Sequence, residues 1–537
     1  MNSKELKYND DAQKLLQSGV DKLANAVKIT LGPRGNNVMI QSNHVPHVTK
    51  DGVTVAKSIR LENEFEDMGC QVVKNAAART AMDAGDGTTT ATILTQSIIT
   101  YGFRYLSSGA NQTMMKKGID KAVIAVVAKL KEMAKPVENV EQTCNVATIS
   151  ANNDAVLGEL ISGAMEKVGK DGVITVEPSR TTKTTVTTTD GAQYRNGWIS
   201  PYFITNTKKF EAEYQDCLIL CTDHTITSAE NISEIVGQCH QAGSPLLIIC
   251  NEMVGEAVQL LVTNKVKSGL KVVAVQGDGF GETRESTIKD MAIMTGAKFI
   301  SVQAEDKLEK IELKDLGSAK KIIVGKSHTT IVNGGGNKTN INTRIEELRE
   351  LAKSLKDSYE VEKVEQRLAK FTGGVGVISL GANSDIELRE KADRVDDAIC
   401  ATKASLEEGI IIGGGTAYIK CIDCLDDLSY DTEDEKLGID VIRKSLHDPL
   451  RQIAINAGDV PDMVIEKVKE KGNDIGYNAY SKKYVDMIVD GIIDPVKVTR
   501  TALENAASAA TMLLSTKCII VEIPDEFGGN KNIDMVM

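Results

Sequence analysis

The sequence has no excess of basic residues: 63 Lys and Arg stand against 75 Asp and Glu, a formal charge of −12. Binding nucleic acid takes a basic face, so no nucleic-acid partner is expected. No apolar run approaches the ~18 residues that suggest a membrane span, so no membrane partner is expected either. The first residues, MNSKELKYNDDAQKLL, are mixed in charge and hold no apolar core. They read as neither a secretory signal nor an acid-poor transit peptide, and a cytoplasmic location is the expectation. Aromatic side chains are sparse, and Trp198 is the single tryptophan. The ten cysteines are scattered, mostly in apolar runs where a thiol behaves as a small hydrophobe. Only Cys421 and Cys424 form a CxxC. With no second pair and no histidine partner, that pair reads as structural. No internal repeat of fixed period is visible.

What is present is a chain of 537 residues, too long for one core, so about two to four domains are expected. Residues 9–30 carry apolar side chains at helical spacing, and helical patterns also run over 63–83, 88–107 and 111–133. TLGPRGNNVMI (30–40) reads as a turn and a short strand, and HVTKDGVTVAK (47–57) as a hairpin around Asp51 and Gly52. After Pro136 the character changes. GVITVE and TTKTTVTTTDG read as strands because β-branched side chains suit a pleated sheet. Between 190 and 335, short apolar strands (PLLIIC, KVVAVQG, AKFISVQ, KKIIVG) alternate with helical stretches, an α/β unit with its own core. Residues 340–371 are highly charged and read as a solvated helical hairpin. The remainder returns to helix, with a second glycine turn at IIIGGGTAYIK. A central α/β block therefore interrupts two helix-rich ends that are expected to fold together.

Each end offers a ligand turn. AGDGTTTAT (84–92) places Gly85, Asp86 and Gly87 ahead of Thr88, Thr89 and Thr90 at the start of a helix. Unpartnered amides at such a start suit phosphate. The lysine of a Walker loop is missing, and an acid stands in the turn. An aspartate beside phosphate is sensible when a Mg²⁺ ion lies between them, because a hard dication takes oxygen from both. The alternative, an Asp N-cap followed by threonines that start a helix, is as well supported by this stretch alone. Further stretches of the same kind are TLGPRG, TKDGVT, GGG at 413–415, and GIIDPVKVTR with Asp494. RVDDAICAT (394–402) puts Asp396 and Asp397 at the expected start of another helix.

Together these stretches resemble the group I chaperonins, the GroEL type, from about residue 5 to residue 523. The resemblance is carried in order by TLGPRGNNV, TKDGVTVAK, AGDGTTTAT, GIDKAV, TISANND, VGKDGVITVE, GWISPYF, PLLII, GFGETR, RVDDA, EEGIIIGGG, PLRQI, GYNA and GIIDPVKVTR. It implies a multidomain α and α/β chaperonin fold. Residues 1–132 and 408–537 would form a helical equatorial domain, and 133–189 with 376–407 a small α/β intermediate hinge domain. Residues 190–375 would form an inserted α/β apical domain that binds polypeptide.

The resemblance also implies ATP and Mg²⁺ as ligands, with K⁺ as a further ion. Thr30, Leu31, Gly32, Pro33 and Lys50 would line the nucleotide pocket. Asp86 would hold the metal, Gly87, Thr88, Thr89 and Thr90 the phosphates, and Ser150 would lie beside them. Gly414, Asn478, Ala479, Ile492 and Asp494 would contact ribose and base. Tyr480 stands where the family commonly has a small residue. Asp397 would position or deprotonate the attacking water, with Asp51 assisting. Trp198, Tyr202, Phe203, Ile235, Val236, Val258 and Val262 would form an apolar client surface, and Thr263 falls at a position that is usually aliphatic. Expected partners are non-native polypeptides, a GroES-type lid co-chaperonin and further copies of the chain. Those copies would form a seven-membered ring, by default a back-to-back double ring, with a single ring as the alternative. The implied function is ATP-driven capture, encapsulation and release of folding chains. The rival is a ring that holds or scaffolds partners without productive cycles.

Overall fold

A computed structural model describes residues 4–522 except 42–45, 170–172, 180, 208 and 356–357. The chain divides into two compact units. The first comprises residues 1–163, 178–183 and 380–537, and the second comprises 164–177 and 184–379. The two ends of the chain thus share one unit.

The first unit is built from long helices over Asn9–Val27, Glu64–Ala84, Thr88–Ser107, Gln112–Glu132, Glu433–Ser445 and Val496–Leu514. The Val496–Leu514 helix is the one most enclosed. Its inward side chains are largely alanine, including Ala502, Ala506 and Ala510, which allow the Glu64–Ala84 and Thr88–Ser107 helices to pack close. One continuous core runs from Leu16 and Val20 through Ile98 and Ile119 to Ile442 and Leu503. Burial on this scale, at roughly 25 cal/mol per Å² of apolar surface, is what holds such helices, since isolated helices of this length are marginal. Two strand pairs tie distant segments together. Lys4–Tyr8 pairs antiparallel with Cys518–Glu522, and Ile410–Ile412 with Ile493–Pro495, which sets Ile411 opposite Asp494.

The second unit is centred on a nine-stranded sheet. One end of it is parallel: Val272–Gln276 at the edge, beside Leu246–Cys250, beside Ala212–Thr222. Every residue of LLIIC is buried, the continuous apolar run of a strand covered on both faces. Antiparallel strands Gly317–Val324, His328–Gly334 and Thr185–Arg195 continue the sheet. The charged segment does form a helical hairpin, Lys338–Ser354 with Ser358–Thr372. It is not simply solvated, however. Arg344 Nε at 2.9 Å and Arg367 Nε at 2.6 Å both donate to the carboxylate of Asp290, whose side chain is almost wholly buried. A buried carboxylate needs such partners to offset its lost hydration.

Two local expectations are corrected. Residues 47–57 are not a hairpin: His47–Thr49 is a strand paired with Val38–Ile40, and Gly52–Ser58 is a helix. Asp51 causes the switch by capping that helix, accepting from the amides of Val53 at 3.0 Å and Thr54 at 2.8 Å. Asp396 and Asp397 do not start a helix. They lie in the middle of Asp385–Glu408, which is capped far upstream by Ser384. The ten thiols are all free, and Cys421 Sγ lies 3.7 Å from Met133 Sδ within the core.

Candidate functional site

Backbone geometry opens the site. The Glu64–Ala84 helix ends at Gly85, and Gly87, with φ of 83°, turns the chain into Thr88–Ser107. That left-handed conformation suits glycine, and a Cβ at Gly87 would stand 2.7 Å from Val498 Cγ1. Among the described residues no side chain caps the Thr88–Ser107 helix, so its first amides face outward without a protein acceptor. At Gly52 a Cβ would meet Thr89 Oγ1 at 2.3 Å. The Asp51-capped helix and the threonine turn can approach only because glycine stands there.

These turns border a cleft of about 610 Å³ inside the first unit, a volume in the range of small-molecule sites. Its walls include Thr30, Leu31, Gly32, Pro33, Lys50, Asp51, Asp86, Gly87, Thr88, Thr89, Thr90, Ser150, Asp397, Gly414, Asn478, Ala479, Tyr480, Ile492 and Asp494. Every residue expected at a nucleotide site is therefore brought to one cavity from eight separate stretches of sequence. The Asp86 carboxylate accepts from its neighbour's amide, Gly87 N, at 2.5 Å. Ser150 bonds the same carboxylate.

The electrostatics are those of crowded acids. Burial pushes the Asp86 carboxyl up from its ordinary range, opposed by the Gly87 and Ser150 hydrogen bonds, and the Asp51 charge adds to the rise. Asp397 is pushed well up, first by burial and then by the charges of Asp86, Asp51, Asp396 and Asp393. Asp494 rises to about 7 through burial and the Asp86 charge, against a hydrogen bond from the Gly414 backbone. These side chains keep some surface open to the cleft, yet protein surrounds them on the other sides. Hard oxygen donors crowded in this way fit a Mg²⁺ ion, which prefers such oxygens and offsets their mutual repulsion.

Several cleft residues were not expected from sequence: Asn145, Thr148, Asn152, Asn153, Glu390 and Arg394. Asn152 and Asn153 have φ of 59° and 63°. A polar pair in the left-handed region just after the Val140–Ser150 helix was signalled by the ANND that follows TIS. Arg394 lies 2.6 Å from Glu390 and 3.7 Å from Asp154.

The expected client residues lie in the second unit and do not behave alike. Phe203 is 0% exposed, Ile235 1% and Val236 6%, and all three belong to the α/β core. They are corrected here from surface to core. The Glu230–Gln241 helix turns Ile235 and Val236 inward beside Ile232 and Cys239. Tyr202 is 45% exposed, while Trp198, Val258, Val262 and Thr263 are partly buried. Trp198 Nε1 donates to Phe210 O at 3.1 Å. No described helix is long and apolar enough to cross a membrane.

Two crystal structures of the chaperonin gp146 from the bacteriophage EL 2 (Pseudomonas aeruginosa), both in presence of ATP-BeFx, are similar to this chain. Crystal form II gives a TM-score of 0.68 and form I one of 0.63. Each is 23% identical and covers 96% of this chain and 99% of that chain, a likeness of fold. The sequence model of the TCP-1/cpn60 chaperonin family matches residues 23–524. With that match spanning nearly the whole sequence, the chain belongs to the TCP-1/cpn60 chaperonin family.

Proposed function

We propose that this chaperonin is an ATPase that captures non-native polypeptides in a ring cavity and promotes their folding by nucleotide-driven enclosure and release. The observation that supports this most is the convergence of glycine turns, threonine hydroxyls and six aspartates on one cleft. A ring that only holds partners has no use for a buried carboxylate poised beside a phosphate cradle, and the holding role is not favoured. The solved phage chaperonins in presence of ATP-BeFx agree with nucleotide use.

In this reading the Thr30–Pro33 turn, Gly414, Ile492 and the Asn478–Tyr480 segment hold base and ribose. The amides and hydroxyls from Gly87 to Thr90, with Lys50, hold the phosphates. Asp86 is the metal ligand, with Ser150 orienting it. Mg²⁺, when bound, supplies positive charge between carboxylate and phosphate oxygens. Asp397 orients the attacking water and accepts its proton, a role suited to phosphoryl transfer, in which positioning and charge matter more than covalent chemistry. Asp51, fixed by two amide hydrogen bonds, assists beside the terminal phosphate. K⁺ is a second proposed ion at the phosphates.

The same proposal divides the chain into equatorial (1–132, 408–537), hinge (133–189, 376–407) and apical (190–375) domains. It arranges seven copies in a ring, doubled by default, in the cytoplasm with a lid co-chaperonin. Nucleotide drives the cycle only by binding one conformation more tightly than another. Repetition of a weak apolar surface around the ring gives avidity for clients. The test is Asp397→Ala: steady-state phosphate release is expected to fall about 10²-fold or more while ATP binding persists. Unchanged turnover would remove Asp397 from the hydrolytic role.

A further inference from the structure

The CxxC pair finds no further ligand in the sequence around it, and the fold supplies one. Cys421 follows the Thr416–Lys420 helix, and Ile422–Leu425 continues as a turn of 3₁₀ helix. The Cys424 amide donates to the Cys421 carbonyl at 3.2 Å, which closes that turn. Side chains three positions apart eclipse one another in a 3₁₀ turn, so the two thiols leave it on one side. The turn packs against the Gln112–Glu132 helix. There Met133, which ends that helix, brings its Sδ to 3.7 Å from Cys421 Sγ across 288 positions of sequence. Lys129 stands one helical turn before Met133. Burial pushes both thiols up from their ordinary range, and the Lys129 ammonium opposes the rise at each, so one charge acts on both sulfurs. Cys421 is fully buried, whereas Cys424 keeps part of its surface open. The cluster therefore has an inner and an outer sulfur.

We propose that Cys421, Cys424 and Met133 form a binding site for a soft monovalent metal ion of the Cu(I) class. Two sulfurs 3.7 Å apart, each ~2.3 Å from one ion, subtend about 107° at it, close to the angle of a tetrahedral or trigonal centre. The donor set selects the ion. Thiolate and thioether sulfurs are soft and favour Cu(I). A structural Zn²⁺ site takes four Cys or His ligands. Among the described residues no third His, Cys, Asp or Glu completes a metal-holding group with this pair. Binding replaces two S–H bonds by two metal–sulfur bonds and releases two protons, while the thioether adds without losing one. The centre then carries one negative charge, which the Lys129 ammonium offsets. Lys129 Nζ is also 3.0 Å from Glu132 Oε1, which holds it on this side of the helix.

The test is anaerobic competition for Cu(I) between the reduced full-length chain and the indicator bathocuproine disulfonate, for wild type, Cys424→Ser and Met133→Leu. The chain has ten free cysteines, so the readout is the difference between variants. Cys424→Ser is expected to take up one Cu(I) fewer per chain than wild type. Met133→Leu keeps the side-chain volume and removes only the sulfur. Its Kd for that ion is expected to rise at least about ten-fold, the least that loss of even an outer partner of a metal site costs. Copper X-ray absorption of the loaded wild type needs no variant to fold, and is expected to show three sulfur neighbours at ~2.3 Å. Equal uptake and affinity in all three chains would overturn the inference and leave a thiol packed on a thioether. Nitrogen or oxygen in place of the third sulfur would also overturn it, as would Zn²⁺ bound by wild type more tightly than Cu(I).

Discussion

The nucleotide cleft and the client surface were both expected from motif resemblance, yet the fold treats them differently. In the first unit all the expected residues meet in one cavity. In the second, the expected apolar surface separates into core (Phe203, Ile235, Val236), half-covered side chains (Trp198, Val258, Val262) and one well-exposed aromatic, Tyr202. The difference lies in what each residue type can do elsewhere. A cluster of aspartates around glycine turns has no favourable place in an apolar core, so its presence signals a site. A valine or isoleucine serves a core and a sticky surface equally well, and only the fold decides between them.

The comparison can be broken most severely at Phe203. If it is core, Phe203→Ala should destabilise the α/β unit by about 3–5 kcal/mol, read by urea unfolding. Trp198, the only tryptophan, lies in that same unit and reports it by fluorescence. A loss of client binding at unchanged stability would return Phe203 to the surface. Tyr202 is the smaller and opposite case. Tyr202→Ser should leave unfolding within about 0.5 kcal/mol of wild type, because an exposed side chain contributes little to stability. Capture of a denatured client, measured by suppression of its aggregation, should nevertheless weaken. Unimpaired capture would show that the client surface lies on other side chains.

Much of the architecture was readable because long amphipathic patterns and apolar strand runs have few alternatives. The helices over Glu64–Ala84, Thr88–Ser107 and Gln112–Glu132 lie within a residue or two of their sequence limits. What failed was local and has local causes. Asp51 turned an expected hairpin into a capped helix through two hydrogen bonds that residue pattern does not reveal. Asp397 sits mid-helix because the effective cap is Ser384, thirteen positions upstream, rather than the acids themselves. Asp290 was hidden for a different reason: its partners, Arg344 and Arg367, come from another segment of charged sequence that reads as solvent-facing. In the cleft, aspartates and glycines advertised themselves, whereas Asn145 and Thr148 did not, being ordinary polar residues on a helix until the fold turned them inward.

The central claim is that crowded carboxylates in the first unit wait for a magnesium-bound triphosphate. It is tested most directly by titrating the purified chain with ATP in Mg²⁺, then in EDTA, and repeating both with Asp86→Ala. The account predicts binding that weakens at least ten-fold when the metal is removed, and an Asp86→Ala chain whose weak binding no longer responds to Mg²⁺. Equal affinity with and without the metal, or an Asp86→Ala chain as responsive as wild type, would contradict it.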